Sequence, residues 1–257
     1  MGSSTISLGL GLGGGKSATS SGSPGGGGGT PFANQYSVSF DGSNDYLAIN
    51  SGLESTINNA SALTISAWIK VSAHRGAIFS SGTSASDGIW LYPYDPTILL
   101  FTARSSSSPS SGISCAPPSS INEWHHIAGV LDGANSKIYI DGNLEGTGTL
   151  PALGSTGGSS PYIGSFQNSA GSFVNGLIDE VSIFDSVLSA TDISTLRGGA
   201  SAGTLGEPVD ISSLNPVGWW RMGDNDGGTG TTITDQGSGG NNGTLTNGPT
   251  YSTDVPS

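Results

Sequence analysis

Residues 36–47, Tyr-Ser-Val-Ser-Phe-Asp-Gly-Ser-Asn-Asp-Tyr-Leu, constrain this chain more than any other stretch. Val38 and Phe40 alternate with Ser37 and Ser39, an Asp-Gly pair then breaks the run, and a second extended segment begins almost at once. Asp and Gly tolerate the positive φ that a tight reversal between antiparallel strands demands. The same grammar returns over residues 124–142, where extended runs flank Asp132-Gly133 and Asp141-Gly142. Turn-linked strands with one apolar face must bury that face against a second layer, so the segments predict an antiparallel β-sandwich.

Further strands follow by the same reading. Leu63, Ile65, Ala67 and Ile69 alternate with Thr64, Ser66, Trp68 and Lys70, the period-two pattern of a half-buried strand, with Trp68 on the other side either a second-face core residue or an exposed platform. Short strands are expected over 77–80, 89–92, 98–103, 124–131, 137–140, 144–149, 162–165 and 176–184, whereas the Ser- and Pro-rich stretch 105–120 reads as a long loop. Leu188, Ile193 and Leu196, with Ser189 and Asp192 before them and Gly198 after, predict one short capped helix. Residues 204–216 read as a crossing, followed by strands at 217–221, 231–234 and 243–246. Trp219 and Trp220 are adjacent, so they point to opposite faces, one buried and one partly exposed. Residues 1–31 are low-complexity Gly and Ser and read as a flexible anchor arm, in which Leu8, Leu10 and Leu12 alternate with glycine and could form one assembly face on docking. The expected organisation is therefore 1–31 arm and 32–257 sandwich.

The chain has 257 residues, 43 of them glycine, and only 10% are charged. Turns and a polar surface of Ser, Thr, Asn and Gly must account for much of it. A formal charge of −12 with seven Lys and Arg leaves no basic patch, which argues against a nucleic-acid partner or an anionic membrane. No apolar run is long enough to span a bilayer, so membrane insertion is not expected. No signal-peptide pattern opens the chain. The single cysteine, Cys115, excludes an internal disulfide.

Four segments together resemble the laminin-G-like pattern of the concanavalin A-like lectin/glucanase superfamily. They are Phe40-Asp41-Gly42-Ser43-Asn44-Asp45-Tyr46-Leu47; residues 63–70 with Ala67-Trp68-Ile69; Glu123-Trp124-His125-His126-Ile127-Ala128 leading to Ile138-Tyr139-Ile140-Asp141-Gly142; and residues 173–184 with Asp179-Glu180-Val181. The resemblance implies an all-β jelly-roll sandwich, often with calcium and often binding glycans or protein surfaces. It also implies a packed tryptophan-histidine pair at the 124–126 segment. Residues 220–245 resemble a piece that usually precedes the Phe-Asp-Gly strand but here follow the domain, so residues 204–257 either close their own sandwich or complete a neighbour's. The Gly-Leu-Gly-Leu-Gly head and Asn-Gly-Thr-Leu-Thr-Asn-Gly tail look like those of marine bacteriophage virion proteins.

Candidate chemistry is sparse. The five glutamates are not spaced as a glucanase pair. His125 and His126 point to opposite faces of a strand, and with three histidines no Ser–His–Asp set emerges from sequence. Calcium is the best metal hypothesis, because it takes hard oxygens, and Asp41, Asp45 and Asp179 lie at strand ends where relatives often hold an ion. Asp41 could equally shape its turn and Asp179 cap backbone. Trp90, Tyr92, Tyr94 and Tyr162 are candidates for stacking on sugar faces, with core or subunit packing the alternative. The expected function is a non-enzymatic virion structural protein (capsid decoration, tail or fibre), homo-oligomeric, contacting other virion proteins and host-surface glycan. The alternative is a secreted or cell-surface carbohydrate-binding module or adhesin, with a glycoside hydrolase a distant third.

Overall fold

The computed structural model describes residues 32–84, 87–105, 108–155, 160–166, 172–199, 201, 203 and 206–257. The proposed arm, with Leu8, Leu10 and Leu12, lies outside the described residues. In chain order the elements are β1 (Ser37–Asp41), β2 (Tyr46–Ile49), the single-turn α1 (Glu54–Ile57), β3 (Ala62–Val71), β4 (Phe79–Ser84), β5 (Asp87–Asp95), β6 (Ile98–Ser105), β7 (Ser108–Cys115) and β8 (His125–Asp132). They continue with β9 (Ser136–Ile140), β10 (Asn143–Gly148), β11 (Tyr162–Ile163), β12 (Asn175–Phe184), α2 (Ala190–Leu196), β13 (Gly218–Trp220), β14 (Thr232–Ile233), β15 (Gly243–Thr246) and β16 (Thr250–Ser252).

Two antiparallel sheets stack as a sandwich. The first runs β10-β9-β8-β3-β12-β1-β16, with β13 also paired to β12, and the second runs β14-β15-β2-β11-β4-β5-β6-β7. Asp141 and Gly142, both at positive φ, reverse β9 into β10 as read, whereas Asp41–Gly42 carries β1 into β2 of the opposite sheet instead of closing an antiparallel pair. Between the layers, Val38, Phe40, Leu47, Ile65, Ile69, Leu91, Phe101, Ile127 and Ile178 form the main core.

Two expectations change and one open alternative is decided. The stretch read as a long loop contains β7, paired to β6 from Leu99↔Cys115 to Ser105↔Ser108. Its Pro109 had argued against a strand, but β7 is the outermost strand of its sheet, where a missing N–H is tolerated. For Trp68, where the alternation of β3 left a second-face core position and an exposed platform both open, the structure chooses the core: it is as buried as Ile69. Its ring meets His126 edge-on at 5.4 Å, and a second core lies on the same outer face of the first sheet. There Ala128, Val130, Tyr139 and Phe184 are covered by Leu188, Ile193 and Leu196 of the α2 region, and by Ile211 and Trp219. Trp219 and Trp220 do point to opposite faces, but both are buried, Trp219 in this outer core and Trp220 in the main one. Helix α2 is fixed by the reciprocal cap read from sequence: Asp192 N donates to Ser189 Oγ, and Ser189 N donates to the Asp192 carboxylate.

The final segment pairs within its own chain. β15 lies beside β2 in register Gly243↔Ile49 to Thr246↔Tyr46, and β16 lies beside β1. Asp254 then ties the tail down, accepting from Lys70 Nζ at 2.6 Å and from Trp124 Nε1 at 2.9 Å.

Candidate functional site

The period of β5 sets the site. Trp90 and Tyr92 share the outer face of the second sheet, with Trp90 opposite Ser80 and Thr102, and Tyr92 opposite Leu100. The pairing shifts register between Pro93 and Asp95 as the strand reaches its turn. Four rings then form a ladder running outward. Phe166 stacks on Trp90 at 5.5 Å and packs on Tyr92 at 5.7 Å, and Tyr92 meets Tyr94 edge-on at 6.1 Å. Exposure changes sharply along it: Trp90 is 1% exposed and Tyr94 61%.

Tyr92, Tyr94 and Phe166 line a groove of about 860 Å³ together with Pro93, Pro96, Ile121 and residues 72–77. Ile121 is itself 46% exposed, so two of the most exposed large apolar side chains meet here. The facing wall is built from the chain leaving β3. Asn122 N donates to Val71 O, fastening the Ile121 loop to the end of that strand. Gly76, at φ +87°, passes so close to the Phe173–Val174 backbone that a Cβ would collide with it. The groove carries three ionisable groups besides its tyrosines. Burial lowers the His74 pKa and so favours the neutral ring, and Arg75 is exposed at the rim. The Asp95 carboxylate closes its turn by accepting from Thr97 Oγ1 and Thr97 N, which hold its pKa low. The result is a trough with aromatic and proline walls and a few polar groups, the composition typical of small-ligand sites.

Of the four aromatic candidates, the structure brings Tyr92 and Tyr94 to the groove. Trp90 is a correction: Phe166 covers its ring, the Arg104 guanidinium lies 5.3 Å from its centroid, and it supports the ladder instead of meeting a ligand. Tyr162 sits on β11, separated from β5 by β4, edge-on to Tyr46 at 5.4 Å, and does not line the groove. Sequence reading missed Phe166, Ile121 and the 72–77 turn. An isolated Phe among Ser and Gly residues, and an Ile directly before an Asn at positive φ, were the available signals.

The three carboxylates proposed for calcium are not brought together. Asp41 accepts from Ser43 N and shapes its turn, while the Asp45 carboxylate takes Asp41 N at 3.1 Å. Asp41 pairs with Asn175 across β1 and β12, and Asp179 stands four residues further along β12, roughly 13 Å away at strand rise. As a set they do not fit one ion, and no cluster of three or more His, Cys, Asp or Glu side chains suited to a metal occurs among the described residues.

Asp179 belongs to a buried network instead. A bulge in β12 puts Glu180 at φ +46° and turns both carboxyls to the outer face. Glu180 accepts from Trp219 Nε1 at 2.6 Å and from Arg221 Nε at 2.9 Å. Arg221 also reaches Asp224 at 2.9 Å and Ala33 O at 2.6 Å, and lies 4.0 Å from the Phe32 ring centroid. Burial, then the neighbouring Glu180 charge, raises Asp179 well above the ordinary carboxylate range. Burial pushes Glu180 up to about 7 against the pull of Arg221. The network's visible product is structural: with Asp224 accepting from Gln35 N and Tyr36 N, it fixes the first residues of the sandwich. Cys115 is half-buried, and burial pushes its thiol up to about 11, so it is not a thiolate at neutral pH.

Comparison with known proteins gives the following. A family model described as the concanavalin A-like lectin/glucanases superfamily matches residues 41–194, more than half of the chain. Comparison with curated proteins finds no match. Among solved structures, a candidate carbohydrate-binding protein from Bacteroides ovatus superposes with a TM-score of 0.63 at 19% identity, over 88% of this chain and 62% of that one. The chain thus spans under two thirds of that protein's length. The CBM40 of the Ruminococcus gnavus IT-sialidase, bound to α2,3-sialyllactose, superposes with a TM-score of 0.51 at 15% identity, over 62% of this chain and 95% of that one. At these identities the superpositions speak to the fold.

Proposed function

The chain belongs to the concanavalin A-like lectin/glucanases superfamily, and from that membership we propose that it is a glycan-binding module whose ligand lies in the Tyr92–Tyr94 groove. The observation that carries the reading is the aromatic ladder ending in Tyr94, the most exposed large hydrophobic side chain among the described residues. A sugar ring offers an apolar face of C–H groups and a polar rim, and an exposed tyrosine ring beside polar groups answers both. Phe166 and the buried Trp90 behind Tyr92 hold the platform rigid, which lowers the ordering cost of binding. Cleavage of a glycosidic bond is not part of this reading. It would need two carboxyls facing each other across a cleft, and the groove presents Asp95 alone.

Glycan-array screening of the purified chain, followed by titration calorimetry on the best ligand, tests the proposal. Binding that Tyr94→Ala reduces and Trp90→Phe spares supports it. Binding indifferent to Tyr94, or no binding to any glycan, rejects it.

The virion-subunit reading rests on different ground: the Gly-rich head with Leu8, Leu10 and Leu12, and a polar, Lys-poor composition. The two readings are compatible, since a particle protein can present a glycan-binding sandwich. The groove favours glycan recognition as the activity of the sandwich itself. Mass spectrometry of purified particles tests the location.

A further inference from the structure

The structure assembles a Ser–His–Asp chain that the sequence did not reveal. His125 Nδ1 lies 2.8 Å from Asp141 Oδ2, and His125 Nε2 lies 2.9 Å from Ser120 Oγ. A carboxylate can only accept, so Nδ1 carries a proton; in the neutral ring Nε2 then presents its lone pair, and the Ser120 hydroxyl donates to it. Asp141 is held in turn. Its other oxygen, Oδ1, accepts from His126 N at 2.9 Å, and its own N–H donates to His126 O at 2.8 Å. The positive-φ turn at Asp141–Gly142 aims that carboxylate back at the start of β8. All three residues are partly exposed. Ile121, next to Ser120, lines the groove, and His74 of the groove wall is near enough to His125 to interact with it electrostatically.

The neighbouring histidine shows what a merely packed imidazole looks like here. His126 is fully buried, its Nε2 meets Ser66 Oγ at 2.7 Å, and its Nδ1 has no partner. His125 has the nucleophile candidate on one nitrogen, the orienting carboxylate on the other, and access to solvent. That is the nucleophile–base–orienter arrangement that activates a hydroxyl for acyl transfer.

We propose that Ser120, His125 and Asp141 form a centre that hydrolyses short-chain carboxylic esters, with O-acyl groups on a sugar held in the adjacent groove as the natural class of substrate. The choice of an acylated sugar rests on the glycan-binding reading; the ester chemistry does not. Ser120 Oγ bonds to the acyl carbon as its proton passes to His125 Nε2. The ester C–O bond breaks, and the leaving alkoxide takes that proton. Water then repeats the sequence on the acyl-serine and releases the carboxylic acid. Asp141 is a positioning residue that keeps the Nδ1–H tautomer.

The full chain is tested with p-nitrophenyl acetate and with a fluorophosphonate probe mapped by peptide mass spectrometry. The inference expects the probe on Ser120, loss of both label and turnover in Ser120→Ala, and a fall of about 10²–10⁴-fold in turnover in His125→Gln. Asp141→Asn should lower kcat while leaving KM for the small ester unchanged. Should a variant fail to fold, the site of probe attachment on the unaltered chain decides by itself. Label found elsewhere or nowhere, or hydrolysis that persists in Ser120→Ala, overturns the inference. Glycan binding by the unaltered chain without probe on Ser120 overturns this inference alone, and probe on Ser120 without glycan binding overturns the glycan reading alone, so the two proposals fail separately.

Discussion

Replacing Arg221 with Met should strongly destabilise this sandwich. Arg221 donates from Nε to Glu180 at 2.9 Å and from a terminal nitrogen to Asp224 at 2.9 Å and to Ala33 O at 2.6 Å. It also lies against the Phe32 and Trp219 rings. Methionine preserves much of the volume but strands two carboxyls. Breaking a buried pair from one side typically costs about 3–5 kcal/mol, because the orphaned charge stays out of water. For a sandwich of this size that corresponds to a fall in Tm of roughly 6–20 °C. The cost should depend on pH. In the folded protein Glu180 is pushed up to about 7, against an ordinary value of 4.5. A carboxyl raised in this way contributes stability that is fully present below the ordinary value and is lost as pH rises through 7. Without the opposing cation Glu180 rises further. The variant therefore suffers most above pH 7, where the parent ionises and the variant resists, and the deficit shrinks by roughly 1–2 kcal/mol toward pH 5. Urea unfolding at several pH values, with the m-value checked for constancy, measures this. A deficit below about 1 kcal/mol at pH 8, or one independent of pH, would refute the assignment of Arg221 as the counter-charge of this network.

Tyr94→Ala should weaken glycan affinity by about 2 kcal/mol, roughly 30-fold, with little change in melting, since the ring is largely solvated. Gly129→Ala should cost about 1–3 kcal/mol in urea unfolding, because the added methyl would sit 2.6 Å from the Phe101 ring across the sandwich; a neutral result would mean the layers can part there. Calcium and chelator should give the same melting curve within error, since Asp179 is remote from Asp41 and Asp45; a clear shift with calcium would restore an ion to the account.

How much was legible in the sequence depended on the range of the forces involved. The strands carried their own evidence. Alternation in residues 63–70, Asp-Gly reversals and the Ser189–Asp192 cap are short-range signals, and each marked an element that exists. The laminin-G-like pattern was legible for the same reason, as an ordered run of such signals. Exposure was not legible. One of the adjacent Trp219 and Trp220 read as partly exposed because nothing local announces that residues 188–219 fold back over the outer face of a sheet. Trp90 looked available to a ligand because its covering partner, Phe166, lies 76 positions away.

The candidate sites divide along the same line. Composition set the chain's charge and the scarcity of carboxylate pairs, which argued against nucleic acid and glycoside hydrolysis without any coordinates. Period and turn chemistry set most of the strands. Which side chains meet was decided only by the tertiary structure: Phe166 against Tyr92, Arg221 between Glu180 and Asp224, His125 between Ser120 and Asp141. Hydrogen bonds and ring contacts act over a few ångströms. Only the closing of the two layers and their connecting loops brings residues distant in the chain within that reach.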